Sequence, residues 1–328
     1  MKRILSALLI ITILICSTTL ASCSVHKEKE QNRGEEITII TTIFPIYDWL
    51  RNITQNVNSA KVAILADSGA DLHSFQPTAE DIINIQNCDL FVFVGGESDE
   101  WAEDTVENAN NPDMIALNLL SALGGMAKQE EIIEGMQEEK EKEEKEEEKK
   151  EYDEHIWLSL KNSKFLVDVI TKALCEADKN NAALYKSNAS KYSEKLSSLD
   201  EKYENCVNSA KNNTLLFGDR FPFRYLTDDY SINYYAAFVG CSAETEASFE
   251  TISFLSDKID ELLLKYVIVL EGTDHSIAKT IIENTATKDA EIIMMNSMQS
   301  IAAKDIKSGV TYISLMQENL EALEKALN

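Results

Sequence analysis

The sequence predicts an α/β protein: two Rossmann-like lobes of parallel sheet joined by a long, rigid linker helix. Around Asp71-Leu-His-Ser-Phe-Gln-Pro-Thr-Ala-Glu80 the chain runs strand, loop, helix, strand, the order of a parallel βαβ unit. The same order recurs after residue 212. Between them lies a helical pattern over residues 181–211 with no proline or glycine, about 45 Å long at ~1.5 Å per residue.

Ile37-Thr-Ile-Ile-Thr-Thr-Ile43 is β-branched enough to be a strand, closed by Phe44-Pro45. Ile46, Leu50 and Ile53 stand at helical spacing and predict a helix over 47–56. Lys61-Val-Ala-Ile-Leu65 is the next strand. An amphipathic segment at 81–87 leads into the apolar run Asp89-Leu-Phe-Val-Phe-Val-Gly95, and Met114-Ile-Ala-Leu117 is a further strand. Phe165, Leu166, Val169, Ile170 and Leu174 predict a helix over 162–176, and Leu184, Tyr185, Tyr192, Leu196, Leu199 and Tyr203 mark the buried face of the linker. In the second lobe, strands fall at Thr214-Leu-Leu-Phe217, 232–239, Val267-Ile-Val-Leu270 and 291–295, with helices over 249–266, 277–285 and 311–327. The expected organisation is a first lobe over 37–160, a helical linker over 161–211 and a second lobe over 212–328.

The amino terminus belongs to neither lobe. Lys2 and Arg3 precede an apolar run at 4–15 and the small-residue site Leu20-Ala-Ser-Cys23. That is the layout of a secretory signal, the run being too short to cross a hydrocarbon core of about 30 Å. Leu-Ala-Ser-Cys resembles the lipobox of bacterial lipoproteins, which implies cleavage after residue 22, lipidation of Cys23 and a flexible tether over 23–36. Removing residues 1–22 takes two basic residues and no acid, so 31 basic and 56 acidic residues become 29 and 56, a net charge of −27. Such a chain repels a phosphate backbone, which argues against a nucleic-acid partner, and attracts cations.

Residues 130–154 hold 14 acids and five lysines. This composition predicts a solvated insertion, read either as a tolerated surface segment or as a cation-collecting antenna. Cys88, Cys175, Cys206 and Cys241 show no C-x-x-C spacing, and outside the cytoplasm a Cys206–Cys241 disulfide is an alternative to free thiols.

Parallel sheets bind ligands at the carboxyl ends of their strands, where His73 falls. The chain has only four histidines, and a second, His155, sits in the polar segment Tyr152-Asp-Glu-His-Ile-Trp-Leu158. Imidazole nitrogen and carboxylate oxygen both suit a tetrahedral zinc shell.

Further motifs include Thr41-Thr-Ile-Phe-Pro-Ile-Tyr-Asp48, Leu72-His-Ser-Phe-Gln-Pro-Thr-Ala-Glu-Asp81, Cys88-Asp-Leu-Phe-Val-Phe-Val-Gly95 with Trp101, Asp153-Glu-His-Ile-Trp-Leu158, the acidic turn at 244–248 and Thr311-Tyr-Ile-Ser-Leu-Met-Gln-Glu-Asn-Leu320. Together they resemble the bacterial solute-binding lipoproteins that deliver zinc or manganese to ABC importers, over essentially all of 37–327. The resemblance implies a monomeric, lipid-anchored extracytoplasmic receptor that holds a divalent metal between its lobes, presents it to a membrane permease and catalyses nothing. Its histidine ligands fall on His73 and His155, and its acidic ligand on Glu271. The family's third histidine falls on Gly218, which has no side-chain donor, so the neighbouring Asp219 is the expected substitute. Leu72 and Glu154 also stand where the family usually has proline. Arg220 and Arg224 are expected to neutralise Asp219, Asp228 or Asp229. Zinc is the expected ion, with manganese or iron(II) the alternative. A surface adhesin and a zinc hydrolase are rival readings; the latter lacks an H-E-x-x-H motif.

Overall fold

The computed structural model describes residues 36–69, 71–137, 151–242 and 246–328. The signal segment, Cys23 and the tether through residue 35, the centre of the acidic insertion at 138–150 and part of the acidic turn at 244–248 lie outside them.

The first sheet has strands β1 (Ile37–Thr41), β2 (Ala60–Ile64), β3 (Leu90–Phe93) and β4 (Ile115–Asn118), in the order β2-β1-β3-β4, all parallel. The second has β5 (Thr214–Phe221), β6 (Asn233–Val239), β7 (Tyr266–Leu270) and β8 (Glu291–Met295), in the order β6-β5-β7-β8, also parallel. The two sheets therefore repeat one topology, and β2 and β6 hold equivalent edge positions.

Helices α1 (Phe44–Ile53), α2 (Ala79–Asn87), α3 (Glu100–Glu107) and α4 (Leu119–Leu123) belong to the first lobe. Pro45 does not merely close the strand: it sits in the first turn of α1, where a missing N–H costs nothing, and so starts the helix earlier than the apolar spacing indicates. Thr78 caps α2 through a reciprocal box with Asp81, which fixes where the loop bearing His73 ends.

Helix α5 (Leu160–Ala177) leads to the linker α6 (Ala182–Ser209), whose 28 residues span about 42 Å. Its buried residues Tyr185, Asn188, Ala189, Tyr192, Leu196, Leu199 and Tyr203 form one stripe. Towards the first lobe, Asn188 donates to the carbonyls of Ile53 and Gln55, and Tyr192 to Asp48. Towards the second, Asp200 accepts from Tyr230 at 2.7 Å. The second lobe adds α7 (Arg224–Asp229), α8 (Phe249–Leu262), α9 (Ser276–Asn284), α10 (Ala303–Lys307) and α11 (Tyr312–Ala326).

One apolar cluster runs through both sheets, from Ile39 and Leu90 to Phe217 and Ile268, and takes in α6 and α11. Tyr312, at the start of α11, ties the halves: its hydroxyl donates to the carbonyl of Trp157 at 2.6 Å and lies 2.8 Å from Ser163 Oγ. Its ring also meets Trp49 edge to face at 5.4 Å.

The described ends of the acidic insertion correct the expectation of a wholly solvated segment. Met136 is buried and Ile133 packs on the core. Glu130 N–H donates to the carbonyl of Glu151, Gln137 N–H to that of Ala237, and Arg224 pairs with Glu131 at 2.5 Å. A few apolar residues dock each end where the average composition is polar.

Candidate metal centre

His73 lies in a single 3-10 turn, Leu72–Ser74, in the loop after β2. Asp71 caps this turn by accepting from His73 N at 3.0 Å, and its other oxygen pairs with Arg220 of β5 at 2.9 Å. Arg220 therefore joins the second lobe to the His73 loop, and Arg224 pairs with Glu131; neither neutralises the aspartates expected from sequence.

His155 is fully buried and precedes the 3-10 turn Ile156–Leu158 that leads into α5. Asp153 Oδ1 lies 2.8 Å from its backbone N and 2.9 Å from its Nδ1. A ring that donates Nδ1–H to a buried carboxylate leaves its Nε2 lone pair free, the usual support behind a metal-binding imidazole. Ser98 Oγ does the same for His73, 2.8 Å from Nδ1. Glu154 Oε1 accepts from Ser98 N at 2.8 Å and fixes that serine. A Cβ on Gly96 would lie 2.4 Å from Glu154 Oε1, and the residue has φ +87°, so only glycine lets the acid approach.

The two Nε2 atoms point at each other, 3.3 Å apart. The chord of a tetrahedral shell with zinc–nitrogen bonds of about 2.0–2.1 Å is roughly 3.3–3.4 Å. The rings are thus spaced as two ligands of one ion.

Electrostatics distinguish the pair. Burial, reinforced by the neighbouring His155, drives the His73 pKa down to about 3. Burial also opposes charge on His155, but Asp153, Glu154 and Glu130 outweigh it and raise its pKa. Burial and the neighbouring ring thus disfavour charge on His73, while the surrounding carboxylates favour it on His155.

Two further side chains complete the surroundings. Cys241, just after β6, places its Sγ so that it and the two imidazole donors lie within 4.8 Å of one another. Burial and then Glu130, Asp153 and Glu154 push its thiol pKa well above the ordinary value. Gln299, after β8 and buried, sets its side-chain amide against both rings, 2.9 Å from His73 Nε2 and in contact with His155 Nε2.

Over residues 39–326 the chain matches the family described as zinc-uptake complex component A, periplasmic. It belongs to that family. Among its relatives, the high-affinity zinc uptake system protein ZnuA of Bacillus subtilis is 27% identical over 316 residues, covering 95% of each chain. The zinc-binding lipoprotein AdcA of Streptococcus pneumoniae is 27% identical over 313 residues, but the match spans 95% of this chain and only 59% of that protein. In fold, the Zn(II)-bound ZnuA-like domain of Streptococcus pneumoniae AdcA superposes with a TM-score of 0.69 at 24% identity, covering 89% of this chain and 99% of that one. The metal-dependent lipoprotein YcdH of Bacillus subtilis gives 0.71 at 23% identity, covering 89% and 100%.

Of the ligands expected from sequence, this zinc-uptake component A member brings His73 and His155 together, while Glu271 and Asp219 make hydrogen bonds within the second lobe. Both oxygens of Glu271 are taken by Ser297: its N–H donates to Oε2 at 2.8 Å and its hydroxyl to Oε1 at 2.6 Å. Asp219 is buried in β5 and accepts from the backbone N–H groups of Arg220 at 2.8 Å and Leu270 at 3.2 Å, tying β5 to β7. Gly218 packs against α9, where an added Cβ would lie 2.8 Å from Ala278 Cα. Among the described residues no carboxylate joins the group formed by His73, His155 and Cys241. The reading from sequence missed Cys241 and Gln299. For Cys241 the available signal was its place after the strand equivalent to the one before His73; for Gln299 there was none. Cys206 and Cys241 are both free thiols.

Proposed function

We propose that this chain is the extracytoplasmic zinc receptor of an ABC importer. It captures the ion between its lobes on His73 and His155 and presents it to a membrane permease. The observation that carries the reading is the 3.3 Å separation of two carboxylate- or hydroxyl-backed Nε2 atoms, the chord expected for two nitrogens on one tetrahedral zinc. The relatives' names as zinc-binding and zinc-uptake proteins favour zinc over manganese. The lipobox-like Leu20-Ala-Ser-Cys23 supports attachment through Cys23 to the outer face of the membrane, and the receptor acts as a monomer. Glu271 also holds Ser297, and with it the loop that carries Gln299.

Binding here is capture and release with no bond made or broken in a substrate. Zinc at the paired Nε2 atoms must displace the Gln299 amide nitrogen, and rotation about its last side-chain torsion presents Oε1 instead. Competition titration with a chromophoric chelator, comparing the native chain with His73→Ala and His155→Ala, tests the reading. Loss of zinc affinity in both variants is expected; retention in both removes the histidine site and the receptor assignment with it.

A further inference from the structure

We propose that Cys241 supplies a thiolate as the third protein ligand, so that the receptor holds zinc through two imidazoles and one sulfur and selects soft divalent ions over hard ones. This rests on the capture reading above and goes beyond it in naming the donor that completes the set.

Three of the four described thiols are packing residues. Cys88 is buried in an apolar cluster of the first lobe, and Cys175 and Cys206 pack on the main core. Cys241 packs on none of the apolar clusters; its neighbours are His155 and the acids Glu130, Asp153 and Glu154. A sulfur beside two imidazole nitrogens matches the donor types that zinc takes.

The backbone is arranged to bring it there. Gly240 lies against the His155 ring: a Cβ would meet Cε1 at 2.9 Å and Nδ1 at 3.1 Å, so the residue before Cys241 must be this small. Glu130 Oε1, at the base of the acidic insertion, accepts from Cys241 N at 3.2 Å and holds the turn. In the repeated topology the loops after β2 and β6 are equivalent, and they carry His73 and Cys241. The two lobes thus contribute donors from matching positions at the carboxyl edges of their sheets.

Among the described residues no carboxylate falls within the group that His73, His155 and Cys241 form. Both oxygens of Glu271 accept from Ser297, and those of Asp219 accept from the N–H groups of Arg220 and Leu270. Asp153 holds His155. A zinc–sulfur bond of about 2.3 Å beside zinc–nitrogen bonds of about 2.0–2.1 Å places sulfur roughly 3.5 Å from each nitrogen. The donors, within 4.8 Å of one another, close on the ion by a side-chain adjustment. As the metal–sulfur bond forms, the thiol proton leaves to solvent. Thiolate favours zinc and disfavours manganese, magnesium and calcium, which prefer oxygen.

The test uses the reduced, full chain loaded with zinc, and separately with cobalt(II) as a spectroscopic probe. X-ray absorption at the zinc edge should show one sulfur scatterer near about 2.3 Å beside the nitrogen shell. The cobalt(II) form should show a thiolate charge-transfer band that vanishes in Cys241→Ser. In that variant zinc affinity should fall at least about ten-fold, the floor seen even for changes one step removed from a metal, and the preference for zinc over manganese should narrow. A zinc shell without sulfur, together with native zinc affinity in Cys241→Ser, overturns the proposal. If His73→Ala and His155→Ala lose zinc while Cys241→Ser does not, the receptor reading stands and the thiolate falls. If none of the three loses it, both fall.

Discussion

Replacing Asp153 with Asn probes the orientation of His155 without changing the shape of the site. Asp153 is 2% exposed, and a single oxygen, Oδ1, meets both His155 N at 2.8 Å and His155 Nδ1 at 2.9 Å. Its charge makes both hydrogen bonds strong, and no water can replace it at a residue so buried. An amide keeps one acceptor but can also turn its NH2 towards Nδ1, which moves the ring proton to Nε2 and blocks the metal-binding lone pair. Removing a carboxylate behind a ligating histidine costs about 10–100-fold in affinity, or roughly 1.4–2.7 kcal/mol. Zinc competition titration should therefore give a Kd for Asp153→Asn raised by that factor. A thermal melt on the same sample controls for folding, since the Asp153 carbonyl also accepts from Tyr225 at 2.9 Å. A folded variant with unchanged Kd would refute the claim that the Asp153–His155 pair prepares the site.

Gly240→Ala should reduce zinc affinity in the same titration, because the new Cβ lies 2.9 Å from both His155 Cε1 and the Phe221 carbonyl, and overpacking of this kind costs about 1–3 kcal/mol. Tyr312→Phe removes a hydroxyl bonded to Trp157 O and Ser163 Oγ; urea unfolding should show a loss of about 1–3 kcal/mol. Asp99 supplies a pH dependence: burial raises its pKa from 3.8 to about 7, so its contribution is fully present below the unfolded value and lost as pH rises through the folded one. Relative to Asp99→Asn, the native chain should lose at most roughly 4 kcal/mol of stability between about pH 4 and pH 8, and a stability difference that stays flat with pH contradicts this.

Much of the architecture is readable from local pattern. Strands such as Val267-Ile-Val-Leu270 and the stripe from Tyr185 to Tyr203 announce themselves through short-range periodicity, and both appear where expected. Short elements do not: α3, α4, α7 and α10 have at most eight residues and carry too few turns for a period to emerge. The ends of the acidic insertion were obscured because Ile132, Ile133 and Met136 are diluted by 14 acids. At the centre, His73 and His155 are legible because histidine is scarce and both lie in polar segments bounded by apolar ones. Cys241 and Gln299 reach the same point from other strand ends, and only tertiary structure reveals that meeting. Glu271, just after β7, and Asp219, in β5, carry ligand chemistry, and their hydrogen bonds to neighbouring N–H and O–H groups are likewise invisible to pattern.

Whether His73 and His155 share one ion can be seen in a zinc-edge anomalous difference map from a zinc-loaded crystal. A single strong peak bonded to both Nε2 atoms at about 2.0–2.1 Å is expected. A peak bound to only one of the two rings, or one seated elsewhere in the molecule, would contradict it.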